Sequence, residues 1–142
     1  MTPVDPDLLA AVIDWITAIP FSAWPQQRPV DGQLRPAMIN RPDWFGFGAA
    51  TDALVRSIAP HSHDRMLSVV MPGHQIDAHR DAQPWRARVH VPLTTNPGAL
   101  VVVDGQRRHM AVGYAYEVDV TVLHAVENYG PTPRIHLMFD VA

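Results

Sequence analysis

The sequence predicts one mainly β domain, a sandwich or barrel of antiparallel strands under a short N-terminal helical cover. Three observations predict it. A length of 142 residues with an apolar fraction of 47% suits one sizeable core. Residues before His63 carry helical periodicity and many prolines, whereas those after it fall into short β-rich runs separated by turn residues. A mean hydropathy of −0.05 belongs to a globular chain and not to a disordered or membrane-embedded one.

From Asp5 to Ile19, apolar Leu8, Leu9, Val12, Ile13 and Ile16 recur on one helical face. Asp5 or Asp7 can cap its start and Pro20 ends it. Phe21 to Arg41 is proline-rich without periodicity and reads as an irregular arm across a surface. The aromatic segment Asp43-Trp44-Phe45-Gly46-Phe47-Gly48 reads first as core packing by Trp44 and Phe47, and second as a lid or substrate wall. A second short helix is expected over Thr51 to Ala59, closed by Pro60. Residues 1–64 thus form a cover, and 65–142 a β core of the same domain.

The core's runs are Arg65 to Met71, Trp85 to Leu93, Leu100 to Val103, Arg107 to Val112, Tyr114 to Val120, Thr121 to Val126 and Arg134 to Val141. Turn residues divide most of them: Pro72-Gly73, Asn96-Pro97-Gly98, Asp104-Gly105 and Tyr129-Gly130-Pro131. Asp104-Gly105 is the strongest hairpin signal.

Composition removes several function classes. There are 0 Cys, so disulfides, thiolate nucleophiles and zinc-thiolate sites are out, and metal chemistry must rest on 8 His and 14 carboxylates. All 11 basic residues are Arg, which removes lysine Schiff-base chemistry. A net charge of −3 leaves no basic field for a nucleic acid backbone, so no nucleic acid partner is expected. The acidic, proline-broken start from Met1 to Asp7 does not read as an export signal. The apolar run Leu8 to Ile19 is too short to span a bilayer and carries Asp14. A cytoplasmic protein without a membrane partner is expected.

Polar side chains recur at the two-residue spacing of one strand face: His79 and Asp81; Arg86, Arg88 and His90; Arg134, His136, Met138 and Asp140. Such faces usually look out to water. If instead they line a barrel interior, an uncompensated Arg there must meet a bound anion. His79-x-Asp81 can begin a two-histidine, one-carboxylate facial triad. Alone it carries little weight, since chance supplies about 0.7 such triplets at this composition. His124, followed ten residues later by Arg134, makes the combination far rarer than its parts.

These residues resemble the aspartyl/asparaginyl β-hydroxylase-like branch of the Fe(II)/2-oxoglutarate dioxygenases, over roughly residues 65–141. Ser68-Val69-Val70-Met71-Pro72-Gly73 before His79 is similar to the family's strand and turn ahead of its first metal histidine. Arg86-Ala87-Arg88-Val89-His90-Val91-Pro92-Leu93 resembles its R-x-R-x-H-x-x-L strand. Gly113 through Asp119 to His124, and Arg134 to Val141, are similar to its last two motifs. The resemblance implies a double-stranded β-helix, the cupin-like jelly roll, with Fe(II) held by His79, Asp81 and His124. In the family's best-known member a glycine stands at the carboxylate place, which here is Asp81. By the same matching, Arg134 with Ser68 would bind the distal carboxylate of 2-oxoglutarate, and Arg88 with His90 the carboxylate beside its keto group. O2 is the second cosubstrate, with succinate and CO2 as coproducts.

The implied substrate is a small molecule, either a free amino acid or related metabolite whose unactivated C–H bond is hydroxylated, or an Asp or Asn side chain of a peptide. A non-catalytic cupin-like module that binds a metal or anion, and a zinc hydrolase with the same ligands, are the readings of another class. His61-Ser62-His63-Asp64 reads as a solvated loop. His74 is either an exposed turn residue or a neighbour of the metal ligands, and Arg86 either a surface cation or a contact to an acidic substrate. The sequence leaves the oligomeric state open.

Overall fold

The computed structural model describes residues 1–20, 48–81 and 87–142, together with the backbone course of Ala37–Asn40. Among the described residues, two helices carry the cover. In α1 (Pro6–Thr17), Pro6 opens the first turn and the Asp5 carboxylate accepts the backbone N–H groups of Asp7 and Leu8 at 2.9 and 3.1 Å. Those two donors have no carbonyl partner within the helix, which is why an acidic residue at this position favours helix over coil. Helix α2 (Ala49–Ile58) begins two residues before the expected start, with Gly48 at its N-cap. Arg65 and Arg56 both pair with Asp52, at 2.9 and 2.8 Å, the first bond tying α2 to the sheet.

The strands are β1 (Thr2–Pro3), β2 (Ala37–Asn40), β3 (His63–Val70), β4 (Gln75–His79), β5 (Ala87–Thr94), β6 (Ala99–Val103), β7 (Gln106–His109), β8 (Tyr114–Val118), β9 (His124–Asn128) and β10 (Arg134–Val141). They form two antiparallel sheets, one of six strands ordered β1-β8-β5-β10-β3-β2 and one of four ordered β4-β9-β6-β7. The molecule is mainly β, as expected. The expected Asp104-Gly105 hairpin joins β6 to β7, both residues having positive φ (50° and 77°).

Three strands lie outside the predicted runs. β1 is too short to show periodicity, β2 falls within the arm read as irregular, and β4 offers only Ile76 and Ala78 as an apolar face. Other edges shift: the run from Arg107 stops at His109, and the run from Thr121 begins at His124. The aromatic segment 43–47, most of the arm, and Trp85 and Arg86 lie outside the described residues.

Alternation in the six-stranded sheet sets up the site. Ile135, Leu137 and Phe139 of β10, Val89, Val91 and Leu93 of β5, and Leu67 and Val69 of β3 form one apolar face. That face is buried against Leu9, Val12 and Ile16 of α1 and Leu54 and Val55 of α2. The opposite face therefore looks inward, toward the four-stranded sheet. Tyr116 and Val118 of β8 pack there on Val101 of β6, and Val70 of β3 on Val126 of β9. The polar residues of β5 and β10 lie on this inner face, the less common of the two arrangements the sequence allowed.

Candidate active site

β4 and β9 pair with His79 directly opposite His124, and their rings stand 4.3 Å apart between centroids. β4 ends at His79. Asp81 lies just beyond, its backbone N–H bonded to the Val120 carbonyl at 3.0 Å, which turns its side chain back toward both histidines. Asp81 Oδ1 is 3.3 Å from His79 Nε2 and 3.7 Å from His124 Nε2. One ligand atom from each of the three residues falls within 4.8 Å of the others.

The tautomers follow from elementary bonding. Nδ1 of His79 lies 2.7 Å from the Asp77 carbonyl, and Nδ1 of His124 2.9 Å from that of Val122. A carbonyl only accepts, so both Nδ1 atoms carry a proton and Nε2 is the ring nitrogen each histidine has left to ligate a metal. Two imidazole nitrogens and a carboxylate oxygen on one side of a common point suit a divalent transition metal. With bonds near 2.1 Å, adjacent ligand atoms of such an ion stand about 3 Å apart, so small shifts close the set. His79 is 42% exposed and His124 9%, so the point has one wall in the protein and one side open.

The second group lies on β3, β5 and β10. Arg134 is 1% exposed, and its guanidinium donates to Ser68 Oγ at 3.1 Å and to His136 Nδ1 at 2.9 Å. Among the described residues no carboxylate pairs with it. Burial with no counter-charge pushes its pKa down to about 9. His136 Nδ1 also lies 3.0 Å from His90 Nδ1. Arg134 has only donors to offer, so His136 Nδ1 is an acceptor and His90 Nδ1 must carry the proton. Burial, and then the charge of Arg134, holds both imidazoles well below the usual histidine range, so both are neutral.

Arg88 makes different contacts. Its Nε and Nη2 donate to the two oxygens of Asp140 at 2.8 and 3.2 Å, and its Nη1 to Asp81 Oδ2 at 2.9 Å. It thus stands beside the proposed metal ligands with two carboxylates on its guanidinium.

The remaining residues singled out in the sequence are dispersed. Asp119 Oδ1 accepts from the Thr121 backbone N–H at 3.0 Å and hydroxyl at 2.6 Å, capping a turn. His74 is exposed in the turn before β4, His61 is exposed, and His63 begins β3. Two residues without an assigned role, His136 and Asp140, prove central to the polar inner face. The available signal was the spacing Arg134, His136, Met138, Asp140, in which a strand that buries its first cation must bury every second residue after it.

The family model described as aspartyl/asparaginyl beta-hydroxylase matches residues 49–142. The chain belongs to that family. The match takes in α2 and every strand from β3 to β10, and so all residues of both polar groups.

Solved structures agree on the fold of this aspartyl/asparaginyl β-hydroxylase family member. A Pseudomonas putida prolyl-4-hydroxylase superposes with a TM-score of 0.70 at 17% identity, covering 99% of this chain and 89% of the other. A 2OG-Fe(II) oxygenase family oxidoreductase from Burkholderia pseudomallei gives 0.69 at 15% identity, covering 96% and 78%. A cupin domain from Bordetella pertussis gives 0.52 at 19% identity, covering 78% and 99%. The architecture is accordingly the cupin-like double-stranded β-helix. No curated protein matches the sequence significantly. Among the described residues, no helix is long and apolar enough to cross a membrane.

Proposed function

We propose that this protein is an Fe(II)- and 2-oxoglutarate-dependent hydroxylase of a free amino acid or related small metabolite. His79, Asp81 and His124 would hold the iron, and Arg134 with Ser68 would bind the distal carboxylate of 2-oxoglutarate. The observation that carries the reading is the pairing of a convergent His-Asp-His set with a fully buried Arg134 that has no carboxylate partner among the described residues. A metal binder that performs no turnover has no use for such a cation, whose burial is costly until an anion reaches it.

Bound Fe(II), with 2-oxoglutarate and O2, supplies the oxidising power for C–H hydroxylation, leaving succinate and CO2. The chain's own residues position and exclude. Carbonyls on the two Nδ1–H groups fix the imidazole planes. Arg134 supplies a fork that matches a carboxylate and keeps its charge at neutral pH. Neutral His90 commits its Nδ1–H to His136 Nδ1, which fixes its ring beside that of His136.

Hydroxylation of an Asp or Asn side chain in a peptide is a second reading, favoured by the description of the matching family. An anaerobic titration with Fe(II) and 2-oxoglutarate should raise a weak visible charge-transfer band. Air should then release succinate in a screen of amino acids and short peptides. The substrate that couples succinate release to its own hydroxylation separates the two readings. Absence of both band and succinate refutes the enzyme reading in favour of a binding module, and turnover without O2 or 2-oxoglutarate points to a hydrolase.

A further inference from the structure

Asp140 is 0% exposed, and both its oxygens are taken by Arg88 in side-on geometry, across the in-register pair Arg88 and Asp140 of β5 and β10. A buried carboxylate needs its charge met, and this fork meets it while fixing the guanidinium in one orientation. The Nη1 so placed reaches Asp81 Oδ2 at 2.9 Å. Asp81 lies past the last residue of β4, so strand pairing does not hold its side chain. With Oδ2 held, Oδ1 is the oxygen left facing His79 and His124.

We propose that Arg88 and Asp140 form a clamp that aims Asp81 at the metal, making Arg88 a positioning residue of the metal centre and not a ligand of the anionic cosubstrate. This rests on the metal reading above and changes the role that the family resemblance gives Arg88. Charge accounting supports it. Asp140 already balances Arg88, so toward an incoming dianion the pair is close to neutral, whereas Arg134 and a divalent ion beside Asp81 are the unbalanced positive charges. The clamp also fits the departure at Asp81: where a carboxylate occupies the ligand position, the neighbouring guanidinium has something to aim.

The test is Co(II) binding to the full chain, read by calorimetry and by the visible d–d spectrum, in wild type, Asp140→Asn, Arg88→Lys, Asp81→Ala and Arg134→Met. Near-UV circular dichroism establishes which variants keep the native packing. Arg88→Lys retains the charge opposite Asp140 and carries the test if Asp140→Asn unfolds. The clamp predicts Co(II) affinity lowered by about 10- to 100-fold, the usual loss for a group that orients a metal ligand. It also predicts a spectrum moved toward that of Asp81→Ala, with Arg134→Met keeping wild-type affinity and spectrum. Folded clamp variants with wild-type Co(II) affinity and spectrum overturn the proposal, most directly if their 2-oxoglutarate affinity falls instead. If His124→Ala binds Co(II) as wild type does, the metal reading itself has failed, a distinct result.

Discussion

Replacing Arg134 with Met should make the ligand-free protein more stable while removing its use for 2-oxoglutarate. Burial lowers the guanidinium pKa from its ordinary value to about 9. At about 1.4 kcal/mol per pH unit, that places the cost of burying the charge near 5 kcal/mol. The hydrogen bonds to Ser68 and His136 offset roughly 2 to 3 kcal/mol of it. Met fills similar volume without charge, so a net gain of about 1 to 3 kcal/mol is expected, in line with other buried charges replaced by apolar residues. For a chain of this size the unfolding midpoint should rise by roughly 3 to 9 °C. The pH dependence has a definite sign. Below about 9 both folded and unfolded chains hold the proton and the penalty is complete. Above it the folded chain sheds a proton that the unfolded chain keeps, so wild type gains stability and the gap to Arg134→Met narrows. Differential scanning calorimetry from pH 7 to 10.5, with and without 2-oxoglutarate, reads all of this. Wild type should gain about 2.7 kcal/mol at 100 times Kd, and the variant nothing. A variant destabilised by more than about 1 kcal/mol at neutral pH would show that Arg134 supports the fold and not a ligand, refuting the reasoning.

Three further outcomes are expected. His90 and His136 resist protonation through burial, so below about pH 6.5 the unfolded chain binds protons that the folded chain refuses, and stability falls by up to ~1.4 kcal/mol per pH unit for each. His136→Leu should make that acid limb in urea midpoints shallower by one histidine's share, and an unchanged slope would contradict the burial argument. Asn128 is 1% exposed, donates to the carbonyls of Val70 and Thr132 at 2.8 and 2.9 Å, and accepts the Gly130 N–H at 3.1 Å. Asn128→Ala should cost about 2 to 4 kcal/mol in chemical denaturation; a loss under 1 would mean that water replaces it. Gly105 has φ 77° in the β6–β7 hairpin, so Gly105→Val should cost about 1 to 2 kcal/mol without altering metal binding, and a neutral result would show the turn to be adaptable.

The parts of the fold legible in the sequence were those where one physical pattern acted alone. Helix α1 showed both its apolar face and its cap, and Asp104-Gly105 admits few backbone conformations other than the tight turn it makes. β4 was missed because its apolar face is only Ile76 and Ala78, too short an alternation to stand out beside the exposed Gln75, Asp77 and His79. The convergence of His79, Asp81 and His124 depends on pairing across some 45 residues of chain, which spacing alone does not fix; the family resemblance supplied it. Alternation gave the inner faces of β5 and β10 as sets but not their direction. That was decided by α1 and α2, which claim the apolar side and leave His90, Arg134, His136 and Asp140 no exit to water. The role of Arg88 was beyond spacing altogether, because it depends on which carboxylates the two sheets carry toward it.

The two imidazoles belong to the four-stranded sheet, whereas Arg134, Ser68 and His136 belong to the six-stranded one. A molecule gripping both groups would act as a bolt through the sandwich. Its arrival should slow amide exchange in β9 and β10 together, although no backbone bond joins those strands, so the breathing of the shell and the occupancy of its interior become one quantity.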